Sequence, residues 1–253
     1  MKSPGSKNLG GKNLGGKTPT GKSGRTPAAF SPGGARSVFD PGFADLPQTI
    51  PIFPLQGVLL LPGGKLPLNI FEPRYLAMIR ASLAGQRLIG MIQPRDPDAG
   101  GLQPEVQKVG CAGRIVSFAE TDDNRYLVTL SGLCRFTIMG ELPILDGYRR
   151  VVPDWAGYAA DLEPVAPSVD RVRLIGALRA FFADQPVRID WQAIEETADD
   201  RLIVSLAMIC PFEAAEKQIL LEAPSPSERA RVMIALLENA ALTRDEGDAQ
   251  VRH

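Results

Sequence analysis

Hydrophobic positions change period within one thirty-residue stretch, IPIFPLQGVLLLPGGKLPLNIFEPRYLAMI, from Ile50 to Ile79. Its first part consists of short apolar runs cut by Pro51, Pro54, Pro62, Gly63, Gly64 and Pro67, the pattern of brief strands with tight turns between them. After Glu72, Pro73 stands where a helix accepts a residue without an N–H, and Tyr75, Leu76, Met78 and Ile79 follow at roughly helical spacing. The stretch therefore predicts strands running into a helix, with Phe53, Phe71 and Tyr75 filling core.

Period-two runs continue downstream. RLIGMIQP from Arg87 reads as a strand, and a polar loop from Arg95 to Lys108 follows it. The runs 109–120 and 125–142 are rich in β-branched and aromatic residues, and Asp122, Asp123 and Asn124 between them tolerate a left-handed backbone; a long hairpin is expected. Gly113 and Gly132 within it predict bulges where a sheet bends. GYRRVVPDW (147–155) adds a strand that Pro153 is expected to end. Five or six short strands with one inserted helix imply a closed or nearly closed barrel, because an open sheet of this size leaves apolar edges.

After the Pro-, Ala- and acid-rich loop 157–167 the period becomes helical for good. Residues 168–184 align Val169, Val172, Ile175, Leu178, Phe181 and Phe182, a short helix is expected near 190–197 around Trp191 and Ile194, and DDRLIVSLAMIC (199–210) is apolar almost all round. Pro211 stops that helix, 212–223 forms another, and Ser225, Pro226 and Glu228 cap a last one over 226–243. The prediction is an α+β chain in four parts: a tail over 1–45, a barrel over 46–157, a helical bundle over 158–243 and a polar tail over 244–253.

Composition narrows the function classes. The 253 residues are 44% hydrophobic and 23% charged, ordinary for a globular protein. No apolar run reaches the ~20 residues of a bilayer span, and MKSPGSKNLG carries neither a secretory h-region nor an Arg-rich presequence; a cytoplasmic protein without membrane insertion is expected. Cys111, Cys134 and Cys210 sit apart in apolar sequence and read as buried thiols rather than as disulfides or a zinc site. The only histidine is His253, which removes Ser-His-Asp and Cys-His catalysis and His-ligated metals. Neither a metal nor another cofactor is expected.

The net charge of −1 conceals a split, because residues 1–39 hold seven Lys or Arg and no acid, leaving 21 basic against 29 acidic residues beyond. Lys7, Lys12, Lys17 and Lys22 recur every five residues in Gly-, Ser- and Pro-rich sequence; the tail is expected to be disordered and to make weak, nonspecific contacts with anions. Phosphate-loop patterns occur at 11–18 (GKNLGGKT) and 16–23 (GKTPTGKS). A working phosphate loop needs a core strand before it and a helix after it, and this sequence supplies neither, so no ATP site is expected.

The whole pattern resembles the substrate-binding N-terminal domain of Lon proteases. The resemblance rests on IPIFPLQGVLLLPGGKLPLNIFEPRY, then on Gly110, Gly132, Arg135 and Phe136, and later on Asp200-Arg201-Leu202, Glu216-Lys217-Gln218 and Leu220-Leu221-Glu222, over about residues 48–240. It implies a PUA-like β-barrel with one inserted helix followed by a helical bundle, the barrel type also found in cereblon. It implies structural roles for Phe53, Pro54, Leu55, Phe71, Glu72, Pro73, Tyr75, Gly132, Arg135, Phe136, Lys217 and Gln218. Lys65, Lys108 and Lys217, the lysines outside the tail, lack the context of a Ser-Lys peptidase dyad, and the sequence ends where an AAA-type ATPase would follow. A stand-alone, non-enzymatic domain is expected.

The acid pairs Asp122-Asp123, Glu195-Glu196 and Asp199-Asp200 lie at a turn and near helix ends, where carboxylates complement dipoles or solvent; no catalytic residue is assigned. Arg74 has two readings: a lock between helix and barrel through a carboxylate, which is preferred, or a holder of a peptide carboxylate or carbonyl. Leu59 and Leu60 form an apolar contact surface if they point outward and are core if they point in. The function expected is recognition of exposed hydrophobic or unfolded polypeptide, as an adaptor or quality-control factor, with polypeptide segments or a partner protease or ATPase as partners. The alternatives are an RNA-binding PUA-like module, which the acidic body argues against, and a small-molecule-binding regulatory domain.

Overall fold

The apolar runs fold as the six strands of one sheet, and the helical-period segments as six helices. A computed structural model describes residues 37–96, 103–163, 165–183, 185 and 188–251, with side chains as far as 243. Both phosphate-loop patterns lie outside the described residues. The elements are β1 (Ile50–Pro54), β2 (Lys65–Ile70), α1 (Pro73–Ala84), β3 (Leu88–Ile92), β4 (Val109–Glu120), β5 (Tyr126–Leu145) and β6 (Tyr148–Asp154). Then come α2 (Arg171–Phe182), α3 (Trp191–Glu196), α4 (Asp199–Ile209), α5 (Ala214–Glu222) and α6 (Pro226–Val251).

Strand order is β2-β5-β4-β3-β1-β6, and β6 also pairs with β5. The pairings β5-β4-β3-β1-β6 therefore close on themselves, with β2 attached outside the ring to β5. Only β1 and β3 run parallel; the other pairs are antiparallel. β5 takes part on both sides of the closure because it is long and bends. Its register against β4 shifts between Ala112 and Gly113, the expected bulge, and again between Ile115 and Ser117. Asn124 (φ 62°) turns the β4–β5 hairpin, and Asp146 (φ 48°) and Gly147 (φ 84°) make the two-residue turn into β6.

Pro153 does not end its strand. It stays in β6 opposite Ile138, next to the register shift between Ile138 and Gly140, where the ladder is already irregular and a missing N–H breaks no regular rung. Val172 is not on the buried face of α2. It is 86% exposed, because the inward stripe is Leu174, Ala177, Leu178 and Phe181, and position 172 lies about 200° around the helix from 174. α6 continues as helix to Val251, past the expected helix end at 243. Residues 37–45, assigned to the tail by composition, are held down. The Asp40 carboxylate accepts from Arg114 Nε at 2.6 Å and from the Ser37 amide at 2.7 Å, and Phe43–Asp45 forms a 3₁₀ turn.

Two apolar clusters hold the chain. The smaller lies within the sheet around Ile50, Ile52, Leu88, Cys134, Phe136, Val151 and Trp155. The larger joins strand residues such as Phe53, Ile70 and Leu130, and Met78 and Ile79 of α1, to Leu174, Leu178, Ile203, Leu220 and Leu237 of the helices. Strands and helices thus share one core.

The three cysteines are buried, as the apolar sequence around them predicts. Burial pushes the Cys111 thiol well above its ordinary value and that of Cys210 up to about 12. Thiolate is the reactive form, so native protein at pH 8 is expected to leave a disulfide-exchange reagent such as Ellman's reagent unconsumed, with all three thiols reacting in denaturant. Rapid titration of even one native thiol would contradict this burial.

Candidate functional site

The segment that opens the sheet also builds a groove. β1 ends at Pro54 and the chain turns at Gly57 (φ 68°) and again at Gly63 (φ 79°) before entering β2. These left-handed turns, which favour glycine, fold the intervening loop back on the body. A groove of about 420 Å³ results, lined by Phe53 and Pro54 of β1, Leu55 and Val58 of the loop, Leu66 to Ile70 of β2, then Phe71, Glu72, Arg74 and Tyr75.

Tyr75 packs against Phe53, their ring centroids 4.2 Å apart. Burial raises the Tyr75 phenol above its ordinary pKa despite the opposing charge of Arg74, so it is a neutral hydroxyl at pH 7. Arg74 is engaged from several sides. Its Nε and Nη2 reach the Glu72 carboxylate at 2.9 and 2.8 Å, and its guanidinium lies 4.5 Å from the Tyr75 ring centroid. Gly147, at the β5–β6 turn, approaches Arg74 so closely that a Cβ there would come within 3.1 Å of the Arg74 Cβ. The carboxylate that Arg74 pairs with belongs to the same junction, two residues earlier in the chain, and Arg74 also borders the groove.

Leu59 and Leu60 do not form an outward surface. They are 3% and 2% exposed and belong to the main core. Leu60 occupies space that two glycines leave free: a Cβ on Gly113 would meet its Cδ2 at 2.7 Å, and one on Gly132 its Cδ1 at 3.2 Å. Phe71 differs from expectation in the opposite sense, being 60% exposed. It stands at the groove with the Arg125 guanidinium 5.4 Å from its ring, because the chain must leave β2 and enter α1 there and its side chain falls outside both packed faces.

The remaining motif residues tie strands and loops to the helices. Lys217 of α5 donates to the Gly57 carbonyl at 2.6 Å, tying the groove loop to the helices; desolvation lowers its pKa. Gln218 donates to the Val109 carbonyl at 3.1 Å and to Glu222 at 2.6 Å, and accepts from Gln93 at 3.1 Å. Arg135, next to Phe136 on β5, holds the Asp161 carboxylate with Nε and Nη2, both at 2.8 Å, while Nη1 donates to the carbonyls of Leu221 and Ala223 at 3.0 and 2.6 Å. Arg229 donates to the Leu220 carbonyl at 2.8 Å. Desolvation first, and repulsion from Arg135 second, lower its pKa to about 10. Two buried arginines thus satisfy the C-terminal carbonyls of α5.

Sequence reasoning did not find Asp161, Arg229, Val58, Leu66 or Leu68. A buried arginine demands a carboxylate, but nothing in the sequence points to Asp161 over nearer acids such as Glu141 and Asp154. Among the described residues no group of three or more His, Cys, Asp or Glu is placed to hold a metal ion, and no helix is long and apolar enough to cross a membrane. What the groove offers is apolar wall, a strand edge and one ion pair.

The family profile for the substrate-binding domain of the ATP-dependent protease La (LON) matches residues 49–239, and the chain belongs to that family. The curated relatives include Lon protease of Anaeromyxobacter dehalogenans (25% identity; 76% of this chain, 23% of the relative) and Lon protease 2 of Sorangium cellulosum (27%; 75% and 24%). The chain spans about a quarter of the length of these relatives. Among solved structures, a Lon N-terminal domain protein from Xanthomonas campestris aligns with TM-score 0.53 at 21% identity, over 74% of this chain and 97% of that one. The N-terminal domain of Mycobacterium avium complex Lon protease aligns with TM-score 0.53 at 17%, over 75% and 97%. These two likenesses concern the fold.

Proposed function

We propose that this chain is a non-catalytic Lon-type recognition module that binds exposed hydrophobic or unfolded polypeptide segments in the groove between β1, β2 and the start of α1, serving as an adaptor or quality-control factor in the cytoplasm. The observation that carries the proposal is convergence: Phe53, Pro54, Leu55, Phe71, Glu72, Arg74 and Tyr75, the stretch that bears the family resemblance, all line one partly open, mainly apolar groove. Apolar side chains of an unfolded segment gain by entering such a groove, and its one ion pair, Arg74–Glu72, is already made and so demands no particular sequence. In the same reading the closed strand ring with α1 inserted is a PUA-like β-barrel over 46–157, and 158–243 is the helical bundle that braces it.

Titration of the chain with a fluorescently labelled, permanently unfolded polypeptide tests this. Phe71→Ser is expected to weaken binding about tenfold, the loss of roughly 1.4 kcal/mol of aromatic contact. Because Phe71 is already exposed, the change in folding stability should stay within about 0.5 kcal/mol. Binding no tighter than that of a charge-matched control domain, or wild-type affinity in the variant, would sink the proposal.

A further inference from the structure

We infer that the groove holds its polypeptide as an added β-strand, paired through the backbone to the open edge of β2 at Lys65, Pro67 and Asn69; this rests on the groove being the binding site. Among the described residues β2 pairs with β5 alone, so one row of its backbone groups is left over.

Which residues make up that row follows from the register. The Gly132 amide donates to the Gly64 carbonyl at 2.8 Å, so position 64 faces β5. The pairing then runs without a shift from Lys65 opposite Ser131 to Ile70 opposite Tyr126. In an antiparallel ladder the facing alternates residue by residue. Leu66, Leu68 and Ile70 therefore bond to β5, and Lys65, Pro67 and Asn69 turn their backbone groups outward. Pro67 lands where a strand tolerates proline, with its missing N–H on the open side. The edge presents three carbonyls, at 65, 67 and 69, but only two N–H donors, at 65 and 69.

The groove runs along this edge. Leu66 and Leu68 from one face of β2 and Pro67 and Asn69 from the other all line it, which a depression confined to either face of the strand would not allow. An occupant that satisfies carbonyls repeating every second residue along an extended line, while filling apolar space beside them, is another extended backbone with alternate apolar side chains. A small molecule lacks that repeat. Pro67 removes the central donor and so discourages indiscriminate edge-to-edge pairing, while a short strand still finds its two flanking donors.

The test uses the full chain and an alternating leucine–serine heptapeptide, unmodified or N-methylated at alternate amides in either of the two phases. One phase is expected to lose at least tenfold in affinity and the other to stay within about threefold, because only one row of the peptide's amides faces β2. On the protein side, Asn69→Pro removes an outward N–H without touching the β5 ladder and is expected to weaken the unmodified peptide about tenfold at unchanged melting temperature. Asn69→Ala, which keeps the N–H, should bind at least about fivefold more tightly than Asn69→Pro. Equal affinities for both methylated phases together with full binding by Asn69→Pro would overturn strand addition and leave the groove as the binding site. Absence of binding by the unmodified peptide would overturn both.

Discussion

Replacing Arg135 by methionine is expected to cost the fold about 3–5 kcal/mol, a large share of the 5–15 kcal/mol typical of a whole domain. Arg135 and Asp161 are 5% and 9% exposed, and the guanidinium also supplies the donors for the Leu221 and Ala223 carbonyls. Methionine fills similar volume but strands a buried carboxylate and leaves two carbonyls without those hydrogen bonds. The penalty is therefore that of unpaired charge, not of lost attraction. Adding Asp161→Leu should return part of the loss, because the stranded carboxylate is then removed. Urea denaturation of wild type, the single variant and the double variant measures both effects. A single-variant loss below about 1 kcal/mol would show that water reaches Asp161 and that the joint is not dry.

Gly132→Ala is expected to destabilise by more than the 1–3 kcal/mol usual for overpacking, lowering the melting temperature by at least about 6–12 °C. A Cβ at this position would overlap the Leu61 carbonyl oxygen and sit 2.8 Å from its carbon. Backbone cannot rotate aside as a side chain can. Relief requires moving the 58–63 loop, which Gly132 itself holds by donating to the Gly64 carbonyl and accepting from the Gly63 amide at 2.9 Å. Since that loop walls the groove, polypeptide binding should fall along with stability. Gly140→Ala on the same strand is the matched control: nothing lies within 4 Å of its added Cβ, and a change within about 0.5 kcal/mol is expected. Equal melting temperatures for the two variants would refute the steric account.

The elements were legible because their signals are local. The runs 109–120 and 125–142 announce a hairpin through alternation and the Asp-Asp-Asn turn, and Pro73, Pro211 and Pro226 punctuate helices wherever they occur. The side chains that decide the groove were not legible for the same reason. Whether Leu59 and Leu60 point in or out depends on the space that Gly113 and Gly132 leave on distant strands, which is not encoded within the loop. Phe71 read as core because it is aromatic and flanked by apolar residues, yet it falls at a junction where neither neighbouring element covers it. Val172 was misplaced because it lies off the i, i+4, i+7 stripe of Leu174, Leu178 and Phe181, which a wider apolar list for 168–184 blurred. Arg135 was singled out by its motif, but its partner had to be found across 26 residues of chain.

The core shared by strands and helices also sets a timetable. On the ribosome β6 is complete at Asp154, whereas Leu237 of α6 closes the far side of the main cluster. At about 5–20 residues per second, synthesis of the stretch between them takes roughly 4–17 s. Through that interval the nascent sheet carries Phe53, Leu61, Ile70 and Leu130 with their helical cover still unmade. A module proposed to capture stretches of this kind in other chains therefore displays one of its own at birth, until its late helices cover it.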